Sequence, residues 1–237
     1  MLPALNEVEG MRAVVPRIDR GLFARILYVD GGSTDGSVEY AREQGLEVIV
    51  QSGRGLPNAL DEAFALVTTE LVVTFSPDGN CIPELLPALC RMLEAGDHDL
   101  IVVSRYLQGA RSLDDDIMTG FGNWLFTRLA NLLFGARCTD LLGMFRGYRS
   151  EAIRTMNLHR LPLENRFRRD YWRLNSWELA GSLRAARLRL RYAEIPGDEP
   201  ARVGGDRKMS VIRNGFATVG SILLDFLLFW PTTRRNG

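Results

Sequence analysis

The residues of this chain that could do chemistry are acids and arginines set between short apolar runs. Asp78 stands in Ser76-Pro77-Asp78-Gly79-Asn80, and Asp30 and Asp35 bracket Gly31-Gly32-Ser33-Thr34. Arg54 lies in Gln51-Ser52-Gly53-Arg54-Gly55, and Arg105 in Ser104-Arg105-Tyr106. Arg202, Arg207 and Lys208 share a Gly-rich segment over 200–208 that has the chemistry of a phosphate-binding flap. Two or three carboxylates among a few cations suit a metal-bound polyphosphate: hard oxygens hold the cation, and basic side chains hold the phosphates. The same charges also fit solvated loops, and Asp78 alone fits a turn aspartate bonded to its own backbone. Arg146 and Arg149, three apart, can point one way as an anion clamp or can be ordinary surface arginines.

These residues need elements to position them. Leu71-Val72-Val73-Thr74-Phe75 is a β-branched and aromatic run stopped by strong turn residues, which predicts a buried strand with Asp78 just past its carboxyl end. The same reasoning predicts strands over 25–30, 46–50 and 99–103, and a later one over 188–195. Helices are predicted over 7–17, 37–44, 58–67 and 83–95. Strand and helix alternate up to Arg105, so the expected architecture is an α/β doubly wound, mostly parallel sheet. Asp30, Asp35, Arg54, Asp78 and Arg105 then gather at one edge, where such sheets bind ligands. A polar, mobile loop is expected over 107–116. The apolar stretch 121–134 reads as a core helix or as an amphipathic helix facing lipid. A second helical region is expected over 164–190, with Arg166, Arg168 and Arg169 at its head. The tract 215–230, interrupted by Asp225, is shorter than the ~20 apolar residues of a spanning helix. It predicts a packed or membrane-interfacial helix, followed by the basic pair Arg234-Arg235.

Composition excludes several classes. The 237 residues are 46% hydrophobic and 24% charged, with 29 acidic and 29 basic side chains. Balanced charge gives no pull toward nucleic acid, so any basic site is local. Cys81, Cys90 and Cys138 are too few and too scattered for a zinc site or a disulfide framework, and they fit a reducing cytoplasm. His98 and His159 are isolated, so no histidine metal site or triad is expected. The start of the chain lacks the basic and apolar regions of a signal peptide.

Taken in order, the loops resemble one family. Pro3-Ala4-Leu5-Asn6-Glu7 matches an opening PALNE, and Tyr28 to Ser37 (YVDGGSTDGS) resembles VDDGSTDGT. Phe75 to Glu84 lies on an MDADGQHPPE block, Ser104-Arg105-Tyr106 matches SRY, and Asp140 to Arg149 resembles DLTSGFRAYR. Arg202 to Lys208 resembles a flap R-x-x-G-x-S-K. Each is weak alone, but their order and spacing over nearly the whole chain resemble the inverting family 2 glycosyltransferases of the GT-A fold, within them the dolichyl- or polyprenyl-phosphate sugar synthases. The resemblance implies a domain over 1–210, followed by an apolar helix and basic tail over 211–237.

It also implies a site. Pro3, Leu5, Glu7, Asp30, Asp35, Gly53, Arg54, Ser76, Asp78, Arg202 and Lys208 would hold a UDP- or GDP-hexose. Asp78 would hold Mg²⁺ or Mn²⁺. Asp78, Arg105, Arg146 and Arg149 would serve the transfer. Three departures stand out. The metal motif Asp-x-Asp is here Ser76-Pro77-Asp78, Gly31 replaces an aspartate, and the first strand keeps only its tail before Pro3, as if the strand were cut short or the protein began upstream.

A lipid phosphate acceptor is already anionic and asks for arginines rather than a base, whereas a hydroxyl acceptor asks for a carboxylate such as Asp114, Asp115 or Asp116. The expected function is transfer of a hexose to a membrane-borne polyprenyl phosphate by a cytoplasmic, peripheral enzyme. The alternatives are a hydroxyl-acceptor transferase or a nucleotide-sugar binder with lost catalysis. No nucleic acid is expected, and the apolar tract near the C-terminus suits a dimer contact as well as a membrane.

Overall fold

The computed structural model describes residues 1–160, 176–204 and 211–228. The expected Arg166, Arg168, Arg169, Arg207, Lys208 and the Arg234-Arg235 tail lie outside these residues, as does the first part, 164–175, of the helical region expected over 164–190.

Seven strands among the described residues form the centre. β1 (Leu2–Ala4), β2 (Leu27–Asp30) and β3 (Glu47–Val50) pair in parallel in the order β1-β2-β3. β4 (Leu71–Thr74), β5 (Leu100–Ser104), β6 (Arg146–Arg149) and β7 (Tyr192–Pro196) pair in the order β4-β6-β5-β7. β6 runs antiparallel to both neighbours, and β5 and β7 are parallel. Met1 joins the two groups: its amine donates to the Val73 carbonyl at 2.7 Å, and its own carbonyl accepts from Phe75 N–H at 3.2 Å. The first strand is therefore only three residues long but sits in register, with Leu2 opposite Tyr28 and Ala4 opposite Asp30. The carboxyl ends of β1, β2, β4 and β5 all reach one edge of the sheet.

Helices cover both faces because the buried strands alternate. Ile101 and Val103 face α1 (Val8–Val14), α2 (Ser37–Glu43) and α4 (Leu86–Glu94), together with Met11, Val14, Tyr40, Leu86 and Leu89. Leu100 and Val102 face the other way, toward α3 (Leu56–Ala65), α6 (Ser150–Thr155) and α7 (Trp177–Arg187), with Leu60, Phe64, Ile153 and Trp177. Gly147 on β6 lets α4 sit directly on the sheet: a Cβ there would lie 2.3 Å from Leu93 Cδ1.

A third cluster joins α5 (Ile117–Phe134), α7 and α8 (Val211–Leu228) through Ala130, Leu141, Leu179, Leu183 and Ile222. The interrupting Asp225 is buried and faces Arg184 of α7, Nη2 to Oδ1 at 2.8 Å, so a charge that breaks the apolar pattern ties α8 to the domain. α5 starts four residues earlier than the apolar pattern predicted. Asp116 caps it, accepting from Thr119 N–H at 2.7 Å in a capping box, so Asp116 is a helix cap rather than a free loop acid. The segment before it is bonded in place, with Leu113 N–H on the Glu199 carbonyl at 2.8 Å and a bridge between Ser112 and Glu199.

Candidate active site

Three loops at the carboxyl edge are held in place by the protein's own hydrogen bonds and packing. In the first, the buried Asp30 accepts from the N–H groups of Gly32 at 2.8 Å and Ser33 at 2.9 Å. Asp35 accepts from Ser37 N–H and from Val8 N–H, both at 3.0 Å, tying the starts of α1 and α2 together. Burial would raise the Asp35 carboxyl, but these bonds and the Ser37 hydroxyl hold it below its usual range. In the second, β4 ends in Phe75 and the turn through Asp78. Gly10 of α1 packs against that turn so closely that a Cβ would lie 2.6 Å from the Asp78 backbone. In the third, Arg105 follows β5. Its Nε and Nη2 donate to Asp140 at 2.6 and 2.9 Å, and its Nη1 donates to Glu199 at 3.1 Å.

Between them lies a cleft of about 1310 Å³. One end is made by Pro3, Leu5, Gly31, Gln51, Gly53 and Arg54. The middle holds Glu7, Ser76, Asp78, Asn80, Arg105, Glu199 and Arg202. The far end is apolar, with Met118, Phe121, Leu125 and Phe126 of α5 and Phe216 and Val219 of α8. Among the described residues five carboxylates line it (Glu7, Asp78, Asp114, Asp115, Glu199) against three arginines (Arg54, Arg105, Arg202). Burial pushes the Glu199 carboxyl above its usual range despite Arg105. The Arg105 guanidinium is held firmly charged: burial opposes this, but Asp140 and Glu199 overcome it.

Pro3, Leu5, Glu7, Gly53, Arg54, Ser76, Asp78, Arg105 and Arg202 are thus brought to one cleft. Asp30 and Asp35 lie just behind it, shaping the loop rather than lining the wall. Lys208 is outside the described residues. The expected clamp of Arg146 with Arg149 does not form. Both belong to β6, where side chains three apart face opposite sides of the sheet. Arg146 is fully buried and donates to the carbonyls of Gly143, Leu141 and Glu178, at 2.6, 2.9 and 2.8 Å, and to Ser182 Oγ at 2.9 Å. Arg149 is level with Leu71 at the opposite end of the sheet, bonded to Glu70 and to the carbonyls of Leu93 and His98. Neither touches the cleft.

Sequence reasoning missed Glu199, Asn80 and Gln51 as wall residues. Glu199 lies in a stretch, Gly197-Asp198-Glu199-Pro200, that carries no signal for a site by itself.

The donor set fits a hard cation. Asp78 offers a carboxylate and Ser76 lies beside it on the cleft wall, all oxygen chemistry. Among the described residues no three His, Cys, Asp or Glu side chains converge as a complete metal cage. One or two carboxylates completed by substrate phosphates is a usual arrangement for Mg²⁺-type ions.

Fold and site together define an α/β protein with a glycine-lined, carboxylate-centred cleft across the carboxyl edge of a mixed sheet, the GT-A arrangement. The chain belongs to glycosyl transferase family 2, whose model matches residues 1–156, and within it resembles the polyprenyl-phosphate sugar synthases. It is 24% identical over 220 residues to an undecaprenyl-phosphate mannosyltransferase of Micrococcus luteus, covering 89% of this chain and 86% of that protein. It is 29% identical over 160 residues to the glycosyltransferase AglJ of Haloferax volcanii, covering 67% of this chain and 52% of AglJ, so it spans about half of that relative. Among solved structures it is similar to glucosyl-3-phosphoglycerate synthase of Mycobacterium tuberculosis in complex with Mn²⁺, UDP-glucose and glycerol 3-phosphate. The TM-score is 0.60 at 20% identity, over 95% of this chain and 78% of that one.

Proposed function

We propose that this chain transfers a hexose, with inversion, from a nucleoside-diphosphate sugar to a polyprenyl phosphate at the cytoplasmic face of a membrane. The observation that carries this reading is the change of character along one continuous cleft: glycine and backbone at one end, charge at Asp78 in the middle, aromatic and aliphatic side chains at the other. Pro3, Leu5, Gly53 and Arg54 would take the nucleotide, and the charged centre its diphosphate. The apolar end suits the first isoprenes of a lipid acceptor. The relative from Micrococcus luteus is named for an undecaprenyl-phosphate acceptor, and the mycobacterial structure is a complex with Mn²⁺ and UDP-glucose, which supports the same classes here.

Asp78, with Ser76 beside it, would hold a divalent cation, Mg²⁺ or Mn²⁺. When bound, that cation supplies Lewis-acid stabilisation of the charge that develops on the leaving diphosphate. Arg105 and Arg202 line the same volume, the first paired there with Asp140 and Glu199 and the second with Asp78 and Glu7, and would turn to phosphate oxygens when the diphosphate binds. The acceptor phosphate attacks without losing a proton, so no base is needed. A hydroxyl acceptor is the second reading. It is favoured by Asp115, which lines the cleft and is held by the Tyr106 hydroxyl, and which could take the proton of an attacking alcohol.

Exposed apolar side chains of α5 and α8 support membrane contact. Ile117 is 95% exposed and Leu132 80%, with Trp124 also out, and Phe121 and Phe216 stand exposed at the mouth of the cleft's apolar end. No helix among the described residues is long and apolar enough to cross a membrane. An interfacial position suits helices of this kind.

The test is calorimetric titration with UDP- and GDP-sugars, with and without Mn²⁺, on wild type and Asp78→Ala, followed by transfer assays with polyprenyl phosphate in vesicles. Metal-dependent binding of one nucleotide, lost in the variant, supports the donor site. Transfer to a water-soluble sugar without lipid would move the conclusion to the hydroxyl acceptor. Binding without release of nucleoside diphosphate under any acceptor would leave a nucleotide-sugar binder.

A further inference from the structure

The carboxylate that should take the cation already has one. Arg202 Nη2 lies 3.0 Å from Asp78 Oδ2 and Nη1 lies 3.3 Å from Glu7 Oε1, so one guanidinium bridges the turn after β4 and the start of α1. The pair is sheltered: the Asp78 side chain is 6% exposed and that of Arg202 22%. The backbone fixes the same contact. Val203 N–H donates to the Asp78 carbonyl at 2.9 Å, and Gly79, at φ +94°, leaves room that a Cβ would fill 2.6 Å from Val203 Cγ2. Yet the contact is incomplete, because Arg202 Nε is buried and has no hydrogen-bond partner among the described residues. A buried N–H left unmade is costly, and an anionic oxygen arriving in the cleft would satisfy it.

We infer that Arg202 is a resident counter-cation that competes with the divalent metal for Asp78 and hands over only when a nucleoside diphosphate arrives. This rests on the donor-site reading above. Asp-x-Asp is reduced to Ser76-x-Asp78, so Asp78 is the single carboxylate of the motif. Arg202 takes its Oδ2 and Asn80 N–H donates to its Oδ1 at 3.3 Å, and the guanidinium charge beside it opposes a second cation on the same group. Without a nucleotide, displacing Arg202 from Asp78 leaves a sheltered guanidinium that keeps its contact with Glu7 but loses the shorter one to Asp78. With the diphosphate present, its oxygens take both the guanidinium and the metal, so metal and donor bind as a unit.

The experiment is Mn²⁺ titration of the full chain, read by the EPR signal of free Mn²⁺, with and without UDP, for wild type, Arg202→Gln and Arg202→Lys. Wild type should bind Mn²⁺ weakly alone and far more tightly with UDP. Arg202→Gln should bind Mn²⁺ alone roughly tenfold more tightly than wild type, the scale of one lost charge-assisted competitor. Arg202→Lys, which keeps the charge, should stay near wild type. Equal binding of Mn²⁺ by wild type and Arg202→Gln without UDP, while UDP binding stays metal-dependent, overturns the competition alone. An equal gain in the lysine variant overturns it too, by showing that charge is not the cause. If no variant binds Mn²⁺ or UDP in either arm, both the competition and the donor site are wrong.

Discussion

Asp140 holds the Arg105 guanidinium as a fork, Nε to Oδ2 at 2.6 Å and Nη2 to Oδ1 at 2.9 Å, and is itself completely buried. Asp140 is fixed in turn by Gly143 N–H at 2.9 Å, and the loop that carries it by Glu194, which accepts from Thr139 N–H at 2.9 Å. Burial would raise the Asp140 carboxyl, but Arg105 holds it below the usual range. Arg105→Met would strand that buried carboxylate and should cost about 3–5 kcal/mol by denaturant unfolding. The sign with pH follows. A carboxylate depressed in the folded state contributes stability above its unfolded pKa and loses it as pH falls through the folded one. The difference between wild type and variant should therefore shrink below about pH 4. Arg105→Lys keeps the charge without the fork. It should fold, but lose transfer by roughly tenfold or more, measured as kcat/KM.

Arg184 and Asp225 make the second buried pair, and Arg184 also donates to the Met156 carbonyl at 2.9 Å. Breaking it from either side should destabilise by about 3–5 kcal/mol, because one uncompensated charge stays behind. Replacing both, Arg184→Met with Asp225→Leu, should recover most of that loss. A double-mutant cycle by thermal and urea unfolding checks it.

Much of this was legible before any coordinates. The βα alternation through Ser104 is written in apolar runs that end at turn residues, and the acids and arginines after those runs do reach one edge. β6 was not legible. Arg146-Gly147-Tyr148-Arg149 has no apolar run, and only its place between β4 and β5 makes it a strand. Two arginines three apart suggest a clamp when the element is unknown, whereas the strand period sends them to opposite faces. The early start of α5 was missed because Ile117 and Met118 follow three aspartates, the last of which is a cap. Glu199 was missed because its role depends on Arg105, Ser112 and Asn80, which are far from it in sequence.

Asp61 of α3 gives a pH prediction. Burial raises its carboxyl to about 6, although Trp177 Nε1–H donates to it at 2.9 Å and pulls the other way. An acid raised in the folded state favours folding fully only below its unfolded pKa, and that contribution is lost as pH rises through about 6. Asp61→Asn keeps an acceptor for Trp177 and removes the charge. It should stabilise the protein on the order of 1–2 kcal/mol at pH 7–8, less than the whole shift because the carboxyl keeps some contact with solvent, and do little near pH 4. Melting curves of both proteins across that range test it, and a gain that is the same at every pH would rule out the titration.

The last prediction joins packing to the site. Gly10 sits mid-way along α1, and a Cβ there would lie 2.6 Å from the Asp78 Cα and from the Pro77 carbonyl oxygen. These are backbone atoms, so the side chain cannot be accommodated by a rotamer change. Either α1 retreats, taking Glu7 with it, or the turn moves and carries Asp78 away from Arg202 and from the proposed donor site. Gly10→Ala raises helix propensity, yet it should destabilise by about 1–3 kcal/mol through overpacking. It should also weaken UDP–Mn²⁺ binding by roughly tenfold, about 1.4 kcal/mol. Gly120→Ala on α5 is the matched control, because a Cβ there meets nothing within 4 Å. That variant should be neutral or slightly stabilising, by up to about 1 kcal/mol, and leave nucleotide binding unchanged. Normal nucleotide binding by Gly10→Ala would mean that the turn yields without cost and that Asp78 does not depend on α1 for its place.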